Sequence, residues 1–216
     1  MKKRKNVLVF VAHSDDHVIG AGGTLAKYAH SGYNIYVYVF SHGEAGIPWL
    51  KKGVAVETRF KELIDANKLL GLKRTYIFGL ADGKCKDEIE RYKIVEKISR
   101  LIKEKKPCKI FTHSANDSHH DHRAVHDAVV KGLRRSRIKS DLYSFDIWTL
   151  FRFRHRDTPK LYVDVSDAFR LKLKALRMFR SQWIVYLMFI TKIFLSAFLN
   201  GLHSGTRFAE MFYKEK

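Results

Sequence analysis

The sequence predicts an α/β fold: a single domain built on a mostly parallel sheet with helices on both faces. Short apolar runs alternate along the chain with amphipathic helical patterns, and this βαβα order produces such a sheet. The runs are apolar at almost every position, which indicates strands that are buried on both faces. The 216 residues include only three prolines and no linker-like tract, so we expect one Rossmann-like domain over residues 1–216.

The first four predicted strands are each followed by a predicted helix. The strands are Val7–Val11, Ile35–Phe40, Thr75–Phe78 and Ile110–Thr112. The helices are Gly20–His30, Thr58–Leu70, Lys86–Lys105 and His122–Leu133. Each helix carries apolar residues at three- and four-residue spacing, which is typical of a helix with one buried face. Two later runs, Asp141–Leu150 and Leu161–Val165, predict further strands.

The C-terminal part of the chain, residues 167–216, is predicted to be a helical extension of the domain. Its segment Trp183–Leu199 is 17 residues long and mostly apolar, at the lower limit of the length that spans a bilayer. Lys192 lies in the middle third of this segment and argues against a transmembrane span. Two alternatives remain open: a peripheral helix on a membrane surface, and a helix packed on the domain or against a second subunit of a homo-oligomer.

The net charge of +19 suggests an anionic partner. The excess is concentrated between Arg123 and Arg180, where fifteen Lys and Arg accompany six Asp and Glu. Such a field favours nucleic acid, anionic lipid head groups or a phosphorylated substrate, and a basic solvated surface is the simpler alternative. The chain has no helix-turn-helix, RRM or zinc-finger pattern, so we expect no specific nucleic-acid partner.

Two features predict a cytoplasmic protein, with membrane association through residues 183–199 as the alternative. Cys85 and Cys108 have no CxxC partner and are expected to be reduced thiols. The basic start of the chain precedes an apolar run of only six residues, Val7–Ala12. A secretion signal has an apolar region of roughly 7–15 residues, so this run is better interpreted as a strand.

Two clusters of imidazoles and carboxylates follow the first and the fourth predicted strands. The first comprises His13, Asp15, Asp16 and His17, and the second comprises His113, Asp117, His119, His120, Asp121 and His122. Ligands of open parallel sheets bind beyond the carboxyl ends of the strands, so we expect the two clusters to converge. Imidazole nitrogens and carboxylate oxygens without thiolates suit a catalytic zinc ion, and other divalent transition metals are alternatives.

At these clusters the sequence resembles the PIG-L/LmbE-like family of zinc-dependent N-deacetylases. The family's first motif, Ala-His-Pro-Asp-Asp-Glu followed by Gly-x-Gly-Gly, is similar to Ala12–Gly23, and its second, His-Pro-Asp-His, is similar to His119–His122. Weaker similarities occur at Ser41–Gly46, Arg59–Gly71, Ser181–Gln182 and Phe208–Phe212, so the resemblance spans nearly the whole chain. It implies an LmbE-like fold whose C-terminal part is helical.

The resemblance also implies a role for each matching position. The zinc ligands would be His13, Asp16 and His122. Asp15 would be the general base that deprotonates the attacking water and then returns the proton to the leaving amine. A cationic His119 would stabilise the oxyanion, and Asp121 would orient a neighbouring imidazole. The implied reaction is removal of an acetyl group from an N-acetylglucosamine unit.

Three positions depart from the family's motifs. Ser14 and His120 replace two prolines that shape turns, and we expect these changes to be tolerated. His17 replaces the glutamate that ends the first motif, so a residue that can become a cation stands where the family has a carboxylate. We expect His17 either to alter the surroundings of the metal, to add a ligand or to shift the pH profile.

The substrate is less defined by the sequence than the reaction. The family resemblance makes Arg59 and Glu44 candidates for substrate binding, and a surface salt bridge with Glu62 is the alternative for Arg59. The basic charge suggests that the acetylated amino sugar is phosphorylated or linked to a lipid. Two other functions remain open: a zinc amidase that acts on a different sugar or amine conjugate, and a non-catalytic basic binding module.

Overall fold

The computed structural model describes residues 4–46, 51–148 and 158–215. Within these residues the chain forms, in order, β1 (Asn6–Val11), α1 (Asp16–His30), β2 (Asn34–Ser41), α2 (Lys52–Leu69), β3 (Arg74–Leu80), α3 (Cys85–Arg91), α4 (Ile94–Lys105), β4 (Lys109–His113), α5 (His120–Ser136), β5 (Asp141–Phe145), β6 (Lys160–Asp164), α6 (Phe169–Leu176), α7 (Trp183–Ser204) and β7 (Ala209–Lys214). Two short 3₁₀ helices, Glu44–Gly46 and Arg180–Gln182, precede α2 and α7.

The strands form one sheet in the order β3-β2-β1-β4-β5-β7-β6. The first five strands of this order are parallel to one another. β7 is antiparallel to both of its neighbours, β5 and β6. The predicted α/β class with a mostly parallel sheet is therefore confirmed.

Side chains alternate along β1 between two apolar layers. Val7, Val9 and Val11 pack with residues of α1, α2, α6 and α7 on one face of the sheet. Leu8 and Phe10 pack with residues of α3, α4 and α5 on the other. This period of two places buried side chains on both faces of a central strand, which explains why the run has no polar positions. Helices cover both faces, as predicted.

The start of α1 packs closely on the sheet because glycines replace side chains there. A Cβ atom on Gly20 would lie 2.2 Å from the ring of Phe145, and one on Gly23 would lie 2.9 Å from Val165. Both distances are shorter than a carbon–carbon contact, so only glycine fits. The glycines after the first His/Asp cluster therefore let α1 approach β5 and the segment that follows β6.

Two predicted helices begin earlier than the sequence pattern indicated. α1 begins at Asp16 rather than at Gly20, and α2 begins at Lys52 rather than at Thr58. A carboxylate in the first turn is favourable because the amino end of a helix carries partial positive charge. Asp16 and His17 therefore lie on the first turn of α1 and not in a loop.

The predicted single helix over Lys86–Lys105 is wrong, because it is broken into α3 and α4. Lys93 adopts a left-handed backbone conformation with φ of 50° between them. Ile89 and Ile94 both pack in the same apolar layer. In one continuous helix these two residues would point about 140° apart, so the break is what allows both to be buried.

The predicted strand Asp141–Leu150 is shorter in the structure, and residues 149–150 lie outside the described residues. β5 ends at Phe145. The next backbone amides turn away from the sheet, because the N–H groups of Ile147 and Trp148 donate to Oδ2 of Asp117 at 2.7 and 3.2 Å. This turn brings Trp148 towards the edge of the sheet where the parallel strands end.

The description of residues 167–216 as a helical extension needs one correction. α6 and α7 are helical as predicted, but Ala209–Lys214 forms β7 and lies inside the sheet between β5 and β6. Glu210 fixes this strand to α1: its carboxylate accepts hydrogen bonds from the N–H groups of Gly23 and Thr24 and from Nζ of Lys172. The C-terminal part is thus integrated into the sheet.

Candidate metal centre and active-site pocket

The two His/Asp clusters meet at the carboxyl ends of β1 and β4. These strands are adjacent and parallel, so the segments that follow them leave the same edge of the sheet side by side. In an open α/β sheet this position, where chain connections depart in opposite directions, is the usual place of a ligand site. The first turns of α1 and α5 supply most of the polar side chains.

The three predicted metal ligands, His13, Asp16 and His122, lie within reach of one ion. Each offers one ligand atom within 4.8 Å of the other two. Oδ2 of Asp16 is 3.4 Å from Nδ1 of His13 and 3.4 Å from Nε2 of His122. The backbone N–H of His13 also donates to this oxygen, at 2.7 Å, and so fixes the orientation of the carboxylate.

The surroundings of His122 fit a metal ion. Its ring is fully buried, and its Nε2 accepts or donates no hydrogen bond within the described part of the chain. A buried ring nitrogen in this situation is costly unless it binds a proton or a cation. Two imidazoles and one carboxylate, without a thiolate, are a donor set that suits a catalytic zinc ion.

A carboxylate lies beside the other ring nitrogen of each ligand histidine. Nδ1 of His122 is 3.2 Å from Oδ1 of Asp117, and Nε2 of His13 is 3.1 Å from Oδ1 of Asp82 and 3.7 Å from Oδ2 of Asp121. Carboxylates in this position orient a metal-bound imidazole and raise its basicity. Asp121 is therefore placed next to His13, as its expected orienting role requires.

The charges around Asp16 keep it ionised. Burial raises the pKa of Asp16, but the imidazoles of His122, His113 and His13 outweigh burial and hold that pKa well below its usual range. An ionised carboxylate is the form that binds a metal. The electrostatics of the cluster thus favour Asp16 as a ligand.

Asp15 points into the same pocket but is held by a different partner. Nη2 of Arg59 lies 3.3 Å from Oδ1 of Asp15, and Nε of Arg59 donates to Oγ of Ser14 at 3.1 Å. Burial raises the pKa of Asp15, and Arg59 offsets only part of the rise. A carboxylate with a raised pKa is a better proton acceptor, which agrees with the role of general base expected for Asp15.

Arg59 is buried, so the alternative of a surface salt bridge with Glu62 is wrong. Its side chain is only 3% exposed and contacts Ser14 and Asp15. The carboxylate of Glu62 instead accepts hydrogen bonds from the N–H and the hydroxyl of Ser181. Arg59 also lines the pocket, but its hydrogen bonds go to the protein.

His119 lies in the site as predicted, but its surroundings disfavour the expected cation. Burial and the neighbouring imidazoles of His122 and His13 lower the pKa of His119 to about 4. Its Nδ1 accepts the backbone N–H of Asp121 at 3.2 Å. In the neutral ring the remaining proton is therefore on Nε2, which can donate a hydrogen bond.

His17 lies outside the groups of side chains that could hold a metal ion, and its surroundings disfavour a cation. The ring is fully buried, and its Nε2 is 2.5 Å from Oδ1 of Asn67 on α2. Burial lowers the pKa of His17 to about 4. Asn67 in turn donates to Oγ1 of Thr75, so His17 belongs to a buried polar chain that links α1, α2 and β3.

Three residues that received no role from the sequence belong to the site. Asp82 and Asp117 contact the ligand histidines, and His113 stacks on His122 with ring centroids 3.8 Å apart. Nε2 of His113 also accepts the N–H of Ala12 and lies 3.2 Å from Oδ2 of Asp16. The sequence signal that could have identified Asp82 is its position just after the third strand, because that strand ends at the same edge of the sheet as β1 and β4.

The cluster opens into a pocket of about 400 Å³, a size that suits a small molecule. Its walls combine polar residues with apolar side chains of α7. They are His13, Asp15, Asp16, Ile19, Gly43, Gly46, Arg59, Asp82, Gly83, His119, His120, Trp148, Gln182, Val185 and Phe189. Glu44, expected to bind substrate, does not line this pocket: its Oε1 pairs with Lys52 at 3.2 Å in a neighbouring cleft.

Known proteins share sequence with this chain over the region that contains the site. A family model described as GlcNAc-PI de-N-acetylase (PIG-L) matches residues 8–133. The diacetylchitobiose deacetylase of Thermococcus kodakarensis is 26% identical over 225 residues, which cover 95% of this chain and 81% of the relative. The matched region contains both His/Asp clusters.

Solved structures share the fold. The N,N'-diacetylchitobiose deacetylase of Pyrococcus horikoshii superposes with a TM-score of 0.82 at 24% identity, covering 99% of this chain and 85% of that one. GalB, a 4-carboxy-2-hydroxymuconate hydratase of Pseudomonas putida, superposes with a TM-score of 0.83 at 19% identity, covering 98% and 96%. The two names describe different reactions, so the likeness to these structures shows the fold alone.

Proposed function

The chain belongs to the GlcNAc-PI de-N-acetylase (PIG-L) family, and on that premise we propose that it is a zinc-dependent deacetylase of N-acetylglucosamine-containing molecules. The reaction is hydrolysis of the acetamide: water adds to the carbonyl carbon, the carbon–nitrogen bond breaks, and acetate and a free amino sugar are released. The deacetylase names of its relatives support the reaction type.

One observation carries the proposal: metal ligands, a base and a hydrogen-bond donor line one pocket. His13 and Asp16 lie beside Asp15, and His119 faces them from the start of α5, with its ring 5.1 Å from that of His13. An amide carbonyl placed in this pocket would lie near the proposed metal ligands, the proposed base and the proposed hydrogen-bond donor.

His13, Asp16 and His122 would hold the metal ion. When bound there, the ion supplies Lewis acidity, which polarises a carbonyl oxygen and lowers the pKa of water. Zinc is the proposed ion because the donor set contains two imidazoles and one carboxylate, and another divalent transition metal is the alternative. Asp117, Asp82 and Asp121 would hold the two imidazoles in place.

Asp15 would accept the proton of the attacking water and deliver it to the nitrogen of the leaving amine. Its raised pKa makes it a stronger base than an exposed aspartate. Arg59 and Ser14 restrict where its carboxylate points. Arg59 would act on the substrate through Asp15, and it also lines the pocket in which the sequence predicts a direct contact.

His119 would donate its Nε2 proton to the oxygen that becomes negative when water adds. A neutral donor at a fixed position stabilises this oxygen because it needs no reorganisation during the reaction. The backbone of Asp121 holds the ring in the required tautomer.

The pocket favours an uncharged sugar over a phosphorylated one. Among the described residues that line it, Arg59 is the one Lys or Arg, and its charge is already paired with Asp15. Three aspartates and the imidazoles make up the rest of its titratable groups. A phosphate group, if the substrate has one, would lie outside this pocket.

The experiment that tests the proposal is acetate release from N-acetylglucosamine and N,N'-diacetylchitobiose, before and after chelation. We expect release that stops on chelation and returns when zinc is added. Release of a larger acid from other acylated amines, with none of acetate, would support the amidase alternative. Binding of these sugars without any turnover would support a non-catalytic module.

We also propose that the protein acts in the cytoplasm, because both cysteines are free thiols.

A further inference from the structure

One face of α7 exposes a continuous row of apolar side chains, which we call the α7 stripe. Its members are Ile184, Leu187, Met188, Phe194, Leu195, Phe198, Leu199 and Leu202. Their positions recur at three- and four-residue spacing along the helix, with Thr191 as the polar residue in the row, and each is between 41% and 62% exposed. Soluble monomers rarely expose an apolar patch of this extent, so the stripe indicates a binding surface.

The opposite face of α7 is part of the core. Phe189, Ile193 and Ala197 pack in the layer that also contains α1 and α6. Nζ of Lys192 donates to the backbone carbonyl of Ile147, so its charge is directed at the domain and not at the stripe. The helix is long and apolar enough to cross a membrane, but its packing on the sheet makes it a fixed element of the fold.

Exposed cations flank α7 along the chain and on α6, in a stretch of sequence without Asp or Glu. Residues 168–209 contain seven Lys and Arg and no Asp or Glu. Arg170, Lys174 and Arg177 are exposed at three- and four-residue steps on α6, whose first residue contacts α7 through the rings of Phe169 and Phe194, 5.8 Å apart. Exposed Arg180 and Arg207 lie just before and just after α7. The stripe therefore has a cationic rim.

We propose that the α7 stripe and its rim dock the protein on the surface of an anionic lipid bilayer. The helix, about 33 Å long, would lie parallel to the surface with its apolar side chains below the head groups. The rim would contact lipid phosphates, and Trp183, exposed at the first turn of α7, suits the interfacial region. Binding of a helix to the surface of an anionic bilayer requires both buried apolar area and positive charge.

A second copy of the chain fits the stripe less well. A symmetric dimer apposes the same surface of both subunits. Two cationic rims would then face each other, with no carboxylate between residues 168 and 209 to offset them. A bilayer that carries negative charge has no such conflict.

Docking would also orient the proposed active site. Val185 and Phe189 of α7 line the pocket, while Ile184 and Met188 belong to the stripe. The pocket and the docking surface thus occupy adjacent sides of one helix turn. The docking proposal does not rest on the proposed activity, and it is tested without a substrate.

Sedimentation with lipid vesicles tests the proposal on the full chain. We expect at least about tenfold more binding to equimolar phosphatidylcholine and phosphatidylglycerol than to phosphatidylcholine alone, and a decrease with added salt. The triple variant Leu187→Ser, Leu195→Ser, Leu199→Ser should lose most of this binding. The variant Tyr92→Ser is the control for loss of an exposed apolar side chain elsewhere. Tyr92 is 45% exposed and lies between α3 and α4, away from the stripe.

The stripe residues are exposed, so the triple variant should keep the melting temperature and circular dichroism of the original chain. The variant Arg170→Gln, Lys174→Gln, Arg177→Gln should keep some binding but lose the preference for anionic vesicles. Equal binding of the triple variant and the original chain, or no binding to anionic vesicles, would overturn the proposal. The proposal would also be overturned if the original chain forms a dimer and does not bind vesicles, and if the triple substitution dissociates that dimer. The stripe would then be a subunit interface.

Discussion

The guanidinium of Arg59 lies against the carboxylate of Asp15, with Nη2 3.3 Å from Oδ1. Both groups are buried, and the same arginine binds the hydroxyl of Ser14 through Nε. Ser14 stands where the family's first motif has proline, so this hydrogen bond is a specific feature of the chain. The contact connects α2 to the proposed base and supports a positioning role for Arg59.

Replacing Asp15 with asparagine should abolish proton transfer and leave the metal in place. The amide has the shape of the carboxylate but cannot accept the proton of water. Because a positioned base contributes roughly 10²–10⁴-fold to a rate, we expect acetate release to fall by that factor. The measurement is steady-state kinetics together with metal analysis. Loss of the metal along with activity would show that Asp15 is a ligand instead.

Replacing Arg59 with glutamine should lower kcat more than it changes KM. The variant leaves Asp15 buried without its cation, and breaking a buried ion pair costs about 3–5 kcal/mol, so the melting temperature should fall as well. Arg59→Lys is the control: it keeps the charge but not the planar fork, and should recover part of kcat. A rise in KM with unchanged kcat would restore Arg59 as a direct substrate contact.

Two glycine-to-alanine changes should shift stability in opposite directions. A Cβ on Gly20 would overlap the ring of Phe145, so Gly20→Ala should destabilise the fold by about 1–3 kcal/mol. Gly53 lies on α2, and no atom of the described residues is within 4 Å of such a Cβ, so Gly53→Ala should stabilise the fold by roughly 0.5–1 kcal/mol. Urea unfolding measures both. Equal effects would contradict the close packing of α1 on β5.

Most of the parallel sheet was predictable from the sequence because its strands are buried on both faces. A run such as Val7–Val11 has no polar position and is followed at once by functional residues. β7 was missed because its composition, with Glu210 and Lys214 among apolar residues, does not show the same continuous apolar run. The buried Glu210 is satisfied by two amides of α1 and by Lys172, and such distant partners cannot be inferred from local pattern.

The candidate site was predictable where ligands are close in sequence or follow neighbouring strands. His13 and Asp16 are three residues apart, and His122 follows the neighbouring strand β4. Asp82 reaches the site because β3 ends beside it, and Arg59 reaches it because α2 packs against the turn after β1. Neither arrangement is visible in the local sequence. The lowered pKa of His119 follows from burial among other imidazoles, and this environment forms only when the two clusters converge in the fold.

Metal content of the purified protein is the most direct test of the proposed centre, with two histidine variants as a matched pair. His17→Gln changes a buried imidazole that binds Asn67, whereas His122→Gln changes one whose Nε2 faces Asp16. We predict one zinc ion, or one other divalent transition metal ion, in the original chain and in His17→Gln, and none in His122→Gln. An original chain that binds no metal, or a His122→Gln variant that keeps it, would contradict the centre at His13, Asp16 and His122.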